Sequence, residues 1–141
     1  MINAGIPGEI SEAGLARLPI LLTEYKPDLV VLCHGGNDIL RRLDKTKLAD
    51  HLEQMVGLIK DSGADVIIVG VPTFKLGFSV PDLYPKLAEK HQLANDMTFL
   101  AELESEPSLK SDHIHPNATG YRLFGERIFK LLQAAGAIEL I

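Results

Sequence analysis

Asp112 and His115, three positions apart, are the residues whose types and spacing most clearly point to chemistry. In a turn, a carboxylate at that spacing can accept a proton from one imidazole nitrogen and leave the other nitrogen free to act as a base. Asn117 follows and predicts the N-cap of a helix. The positive end of that helix disfavours imidazolium, whereas Asp112 favours it. The spacing is therefore compatible with a histidine that is neutral at rest and able to accept a proton.

Two further polar segments offer hydrogen-bond donors. Residues 3–8 are Asn-Ala-Gly-Ile-Pro-Gly, and residues 34–38 are His-Gly-Gly-Asn-Asp. The lack of a side chain at Gly8 lets its backbone N–H come close to a ligand, and the Asn37 amide can donate to a developing negative oxygen. Together they predict two donors of an oxyanion hole, where removing one donor typically costs about 100–1,000-fold in rate. Taken alone, each segment also fits an ordinary turn.

An alternation of strands and helices must position these segments. Short apolar, β-branched runs at 28–33 and 65–71 predict strands that are buried on both faces. Between them, Thr46 and Gly63 bound an amphipathic helical pattern. Its apolar face comprises Leu48, Leu52, Met55, Val56 and Ile59. Strand, helix and strand form the crossover unit of a parallel sheet, and ligands bind beyond the carboxyl ends of such strands.

Further elements complete an α/β pattern. Three more helices are predicted at 15–25, 81–91 and 117–135, and two short strands at 1–4 and 97–100. Pro19 predicts a kink or a break in the first of these helices. The last helix has an apolar stripe of Tyr121, Phe124, Ile128, Leu131, Leu132 and Ala135. We infer one domain, residues 1–141, with a three-layer α/β/α fold around a mostly parallel sheet.

Composition limits the class of protein. Of 141 residues, 46% are hydrophobic and 23% are charged, which is typical of a globular domain. The net charge of −5 makes nucleic acid an unfavourable partner, and no apolar run approaches the roughly 20 residues that a membrane span needs. The single cysteine, Cys33, is expected to pack in a strand as a small apolar residue. His51 and His91 are expected on solvated helix faces.

With these segments identified, the sequence resembles the SGNH hydrolases, also called GDSL esterases and lipases, and within them the bacterial thioesterase I and lysophospholipase L1 group. Five segments carry the resemblance, at residues 2–11, 14–22, 35–40, 84–88 and 112–117. The resemblance implies a flavodoxin-like sandwich with a five-stranded parallel sheet. It also implies that Gly8 and Asn37 are oxyanion-hole donors, that His115 is the base with Asp112 as its orienting partner, and that no cofactor is needed.

One part of the family pattern is absent. The family's nucleophile is a serine in a Gly-Asp-Ser block that ends the first strand, upstream of the position matching Gly8, and no Gly-Asp-Ser occurs in this sequence. The six serines are Ser11, Ser62, Ser79, Ser105, Ser108 and Ser111. None has the strand-to-helix setting of that block, and Ser11 is predicted to start a helix. We therefore expect an N-terminally truncated chain that lacks the first strand and the nucleophile and is inactive by itself.

The expected function is hydrolysis of a carboxylic ester or thioester by a Ser-His-Asp mechanism on a small-molecule acyl substrate. One alternative is a catalytically inactive homologue that binds an acyl or carbohydrate ligand. Another is a metal-assisted hydrolase that gathers Asp112, His113 and His115, with His34 or Asp38, around Zn²⁺. Acyl chain length, oxyester against thioester and oligomeric state stay open, and so does localisation, since any signal peptide would lie in the segment expected to be missing.

Overall fold

The computed structural model describes residues 1–75 and 77–138, in which helices alternate with strands. In chain order the elements are α1 (Ser11–Tyr25), β1 (Leu29–Leu32), α2 (Gly36–Leu40), α3 (Lys45–Asp61), β2 (Asp65–Val69), α4 (Leu83–His91), β3 (Ala94–Asp96), α5 (Phe99–Glu104), a 3₁₀ turn (Pro107–Leu109) and α6 (Ala118–Ala134). Internal contacts divide the chain into two compact units, residues 1–67 and residues 68–141.

The described strands form one parallel sheet in the order β1-β2-β3. Its backbone ladder is extended at both ends of β2, where the Asp65 N–H donates to the Asp28 carbonyl at 2.9 Å and the Gly70 N–H donates to the Asp96 carbonyl at 2.8 Å. The α/β class and the parallel sheet predicted from the sequence are confirmed. Three strands lie among the described residues, where the family resemblance implied five.

The predicted crossover helix is α3, and its apolar face packs as expected. The buried residues on this face are Leu48, Leu52, Met55, Val56 and Ile59, and α1 packs against the same helix. The N-cap is Asp44 rather than Thr46, because the Asp44 carboxylate accepts the N–H groups of Thr46 at 2.7 Å and Lys47 at 3.3 Å. The helix ends before Gly63, which adopts a φ of +89°.

Helix α1 begins at Ser11, the residue predicted to start a helix, and joins it without interruption to the helical pattern predicted at 15–25. Pro19 lies inside this single 15-residue helix instead of dividing it. Proline lacks a backbone N–H, so this helix forgoes one intrahelical bond there. The Pro19 carbonyl accepts the Thr23 hydroxyl at 2.9 Å. Lys26 then ends the helix in the left-handed conformation.

Two strand predictions were wrong. Residues 1–4 form no strand. The third strand is Ala94–Asp96 rather than residues 97–100. The reason lies in the Asp96 side chain, which accepts the backbone N–H groups of Thr98 at 3.0 Å and Phe99 at 2.9 Å. Those bonds turn the chain out of the strand and into α5.

The C-terminal helix α6 starts as predicted. Asn117 is its N-cap, with Oδ1 accepting the Gly120 N–H at 3.0 Å. Phe124 stacks on Phe99 with ring centres 5.7 Å apart. The rest of the predicted apolar stripe is more exposed to solvent than expected, and Tyr121 is 57% exposed. Ile128, Leu131 and Leu132 are half-buried, and Ala135 is exposed.

Cys33 follows β1 and is exposed, so the prediction that it packs inside the strand was wrong. Within the described residues, none of the helices combines the length and the apolar character that crossing a membrane requires.

Candidate functional site

Asp112 and His115 form a hydrogen-bonded pair, as their spacing predicts. Asp112 Oδ2 lies 2.7 Å from His115 Nδ1, and its Oδ1 accepts the backbone N–H groups of His115 and Ile114, both at 2.7 Å. These two N–H groups, together with the imidazole, hold the pKa of the Asp112 carboxyl well below its ordinary value. A carboxylate is thus fixed against one imidazole nitrogen. Both side chains are more than half exposed.

The loop that carries this pair is closed on itself by backbone bonds. The Ser111 N–H donates to the His115 carbonyl at 2.8 Å, and the Asn117 N–H donates to the Leu109 carbonyl at 2.8 Å. Lys110 and Pro116 form a β-bridge across the base of the loop. The loop therefore has a defined shape although its side chains face solvent.

Lys110 also braces the loop through its side chain. Its Nζ donates to the His113 carbonyl at 3.3 Å and pairs with Glu104 at 3.4 Å. Both partners of the pair are largely buried, with 13% and 8% of their side chains exposed. Burial raises the pKa of the Glu104 carboxyl, and the Lys110 charge opposes that rise.

The two predicted oxyanion donors are held close together in the first unit. Gly8 has a φ of +76°, which favours glycine, and Asn37 lies in the first turn of α2. Asn37 Nδ2 donates to the Glu9 carbonyl at 3.0 Å, and Arg41 Nη2 donates to the Gly8 carbonyl at 2.9 Å. One amide hydrogen of Asn37 stays available, and within residues 1–75 and 77–138 the Gly8 N–H meets no acceptor. Among the described residues, both predicted donors therefore have an N–H that is not used in a hydrogen bond.

The Glu9 side chain anchors the segment that contains Gly8. Arg17 donates to both carboxylate oxygens, at 2.9 Å each, and His34 Nε2 lies 3.4 Å from one of them. The Arg17 hydrogen bonds, followed by that of His34, hold the pKa of Glu9 below its ordinary value against the opposing effect of burial. The carboxylate therefore connects the segment to α1 and to the end of β1.

A contact between Ser11 and His51 was not expected from the sequence. Ser11 Oγ lies 2.5 Å from Asp38 Oδ1 and 2.8 Å from His51 Nδ1, while the Ser11 N–H donates to Asp38 Oδ2 at 2.8 Å. The prediction of a solvated His51 was wrong, since it is half-buried and bonded to Ser11. The sequence did indicate that His51 faces the interior, because it lies three residues after Leu48 and four before Met55, on the apolar face of α3.

The structure thus brings together the predicted site residues in two pairs, Gly8 with Asn37 and Asp112 with His115. In the part of the chain that the structure describes, no group of three or more His, Cys, Asp or Glu is arranged to hold a metal ion. The ligand set that the metal alternative requires is therefore not assembled there. A surface depression of about 430 Å³ contains none of these site residues. It is lined by Leu22, Thr23, Lys26, Pro27, Asp28, Ser62 and Gly63.

Solved structures share this fold. The crystal structure of TesA superposes with a TM-score of 0.80 at 32% identity, covering 94% of this chain and 77% of that one. The psychrotrophic esterase EstA from Pseudoalteromonas superposes with a TM-score of 0.84, covering 97% of this chain and 78% of that one. At 24% identity, this second likeness shows the fold alone.

Curated relatives agree with the structural neighbours. The chain is 38% identical over 122 residues to the arylesterase of Vibrio mimicus, an alignment that covers 82% of this chain and 61% of the relative. It is 30% identical over 141 residues to thioesterase 1/protease 1/lysophospholipase L1 of Escherichia coli strain K12, covering 94% of this chain and 67% of the relative. The chain thus spans about three fifths to two thirds of the length of these relatives.

A family model tests the resemblance directly. The model of the GDSL-like lipase/acylhydrolase family matches residues 1–123, which include every residue of both pairs. The chain therefore belongs to the GDSL-like lipase/acylhydrolase family.

Proposed function

We propose that this chain supplies the base and the oxyanion donors of an ester or thioester hydrolase that acts on small acyl substrates. His115 is the general base and Asp112 its orienting partner, while the Gly8 N–H and the Asn37 amide bind the oxyanion. Arylesterase, thioesterase and lysophospholipase are the names of the curated relatives. Carboxylic oxyesters and thioesters are therefore the substrate classes to test first.

The observation that carries the proposal is the state of the two His115 nitrogens. Nδ1 is 2.7 Å from Asp112 Oδ2, so it bears the proton that the carboxylate accepts. Among the described residues, Nε2 has no hydrogen-bond partner, and the side chain is 66% exposed. A neutral imidazole with Nδ1 fixed in this way presents Nε2 as the atom that takes a proton.

The proposed reaction has two halves. A serine oxygen attacks the carbonyl carbon as His115 Nε2 takes the hydroxyl proton, and the carbonyl oxygen becomes an oxyanion that the Gly8 and Asn37 donors bind. The tetrahedral intermediate expels the alcohol or thiol, which leaves with the proton from His115. Water then repeats the attack on the acyl-enzyme, loses its proton to His115 and releases the acid. The serine recovers its proton as it leaves.

We further propose that the attacking serine is none of the six in this chain. Ser11 touches an imidazole, but it is fully buried, and its hydroxyl donates a hydrogen bond of 2.5 Å to the Asp38 carboxylate. Two other serine hydroxyls donate to nearby carbonyl groups: Ser62 to Ile59 at 2.6 Å and Ser105 to Glu102 at 2.6 Å. A Gly-Asp-Ser segment outside residues 1–141 would be the source of the nucleophile.

An esterase assay on residues 1–141 tests this proposal. Hydrolysis of p-nitrophenyl acetate and of a short acyl thioester should be no faster for the chain than for its His115→Ala variant. Hydrolysis that exceeds this control, and that Ser11→Ala abolishes, would show that the chain has its own nucleophile. The coding DNA upstream of Met1 tests the remaining part, because the proposal predicts in-frame codons for a strand followed by Gly-Asp-Ser.

A positive test of the base does not require turnover. The proposal predicts that, in the neutral imidazole of His115, the ¹⁵N signals show the proton on Nδ1 and none on Nε2. Asp112→Asn should disturb that state, because an amide does not accept as strongly from Nδ1–H. An unprotonated Nδ1 in the unchanged chain would contradict the assignment of His115 as the base.

A further inference from the structure

Three polar side chains from three helices meet in the first unit: Ser11 at the start of α1, Asp38 in α2 and His51 in α3. Ser11 is fully buried, and Asp38 is 4% exposed. The proposed reaction uses none of them. We refer to these three residues as the Ser11 cluster.

The hydrogen atoms of the Ser11 cluster have one consistent arrangement. A carboxylate only accepts, so Asp38 Oδ2 accepts the Ser11 N–H at 2.8 Å and Oδ1 accepts the Ser11 hydroxyl at 2.5 Å. The hydroxyl has a single proton, which it uses to donate the hydrogen bond to Asp38. His51 Nδ1, 2.8 Å from Ser11 Oγ, must therefore be a donor. The cluster thus requires the tautomer of His51 that bears a proton on Nδ1.

The cluster lies next to both proposed oxyanion donors along the chain. Asn37 directly precedes Asp38, and Gly8 lies three residues before Ser11. Residues 8–11 and 37–41, which we call the donor segments, are joined by three sets of side-chain bonds. Two of these run from Arg41 to the Gly8 carbonyl and from Asn37 to the Glu9 carbonyl. The third is the pair of bonds from Ser11 to Asp38, which is the buried one.

We propose that His51 is a positioning residue for the oxyanion donors, an inference that rests on the proposed function. Its Nδ1–H holds the Ser11 hydroxyl in the orientation that faces Asp38, and Asp38 in turn fixes the spacing of the donor segments. His51 can do this because its neighbours on α3, Leu48 and Leu52, are buried at 2% and 0% exposure. A misplacement of about 1 Å at such donors costs on the order of 100-fold in rate.

Nuclear magnetic resonance of the ¹⁵N-labelled chain tests the proposal with three variants. His51→Leu removes the donor, whereas His51→Asn places an amide N–H near the position of Nδ1. Asp50→Asn changes an exposed neighbour on the same helix and is the matched control. The signals to follow are the Gly8 N–H, the Asn37 side-chain amide pair and the hydrogen exchange of the Ser11 N–H.

The expected result is that His51→Leu moves the Gly8 and Asn37 signals and speeds exchange of the Ser11 N–H about two- to tenfold, which is what the loss of one side-chain hydrogen bond is worth. His51→Asn should restore most of both effects, and Asp50→Asn should change neither. A His51→Leu variant that is less stable but leaves the Gly8 and Asn37 signals unchanged would overturn the proposal.

A measurement on the unaltered chain keeps the proposal testable even if His51→Leu does not fold. Its His51 ¹⁵N signals should show the proton on Nδ1, and a proton on Nε2 alone would overturn the proposal. These signals do not depend on catalysis. If the His51, Gly8 and Asn37 signals all behave as expected while the esterase and His115 tests fail, the positioning of Gly8 and Asn37 stands and only their assignment to an oxyanion falls.

Discussion

Gly120 gives the most direct test of how the loop with Asp112 and His115 is held. It lies in the first turn of α6 and is buried. A Cβ built on it would lie 2.5 Å from the Leu109 carbonyl oxygen and 2.9 Å from Pro116 Cβ. Real Cβ atoms do not approach so closely, and a backbone oxygen cannot move as a flexible side chain can. The Leu109 oxygen also accepts the Asn117 N–H at 2.8 Å, so it cannot move without loosening the loop.

The matched control is Gly125, five residues later on the same helix. A Cβ there would meet no atom within 4 Å. Alanine in a helix interior is favoured over glycine by about 0.5–1 kcal/mol, so Gly125→Ala should stabilise the chain by up to that amount. Overpacking typically costs about 1–3 kcal/mol, so Gly120→Ala should lose stability overall, and the two variants should differ by about 1–3 kcal/mol.

Urea unfolding of the two variants, followed by circular dichroism, measures this difference. The His115 ¹⁵N signals add a second result: Gly120→Ala should move them, because the Leu109–Asn117 bond closes the loop, whereas Gly125→Ala should not. If Gly120→Ala were as stable as the wild type, with unchanged His115 signals, the argument that this glycine holds the loop would be refuted.

Three other predictions concern the same unit. Lys110→Met should lower the free energy of unfolding by about 1–3 kcal/mol, because it leaves the largely buried Glu104 carboxylate without its cation. The control is Lys86→Met at an exposed position, which should change the free energy of unfolding little in the same urea assay. The pKa of Asp112 is lowered, so the hydrogen bonds that its carboxylate accepts in the loop should persist as the pH falls from 7 to 4 and be lost only below the ordinary pKa of 3.8. Amide chemical shifts of the loop would show this, and a loss near pH 5 would contradict it. Asn117→Ala removes the N-cap of α6 and should cost about 1 kcal/mol in thermal unfolding, and no change in the midpoint would refute its role.

The sequence identified residues by type and local spacing. The Asp112–His115 pair needed only a three-residue turn, and the buried face of α3 needed only helical periodicity, so both predictions were confirmed. The caps of α3 and α6 were predicted within two residues of their positions for the same reason. Short-range hydrogen bonds and the period of a helix are properties of a segment of chain, which a sequence displays directly.

Contacts between distant segments decided the rest. Nothing near Ser11 indicates that it bonds to Asp38, 27 residues away, or to His51, 40 residues away. The strand predicted at residues 97–100 ended instead at Asp96, whose carboxylate is also held by Arg127, 31 residues on. The sequence by itself thus determined which side chains form local pairs and helix caps. Only the tertiary structure decided which buried polar groups hold them, because a buried carboxylate takes its partners from whichever elements fold against it.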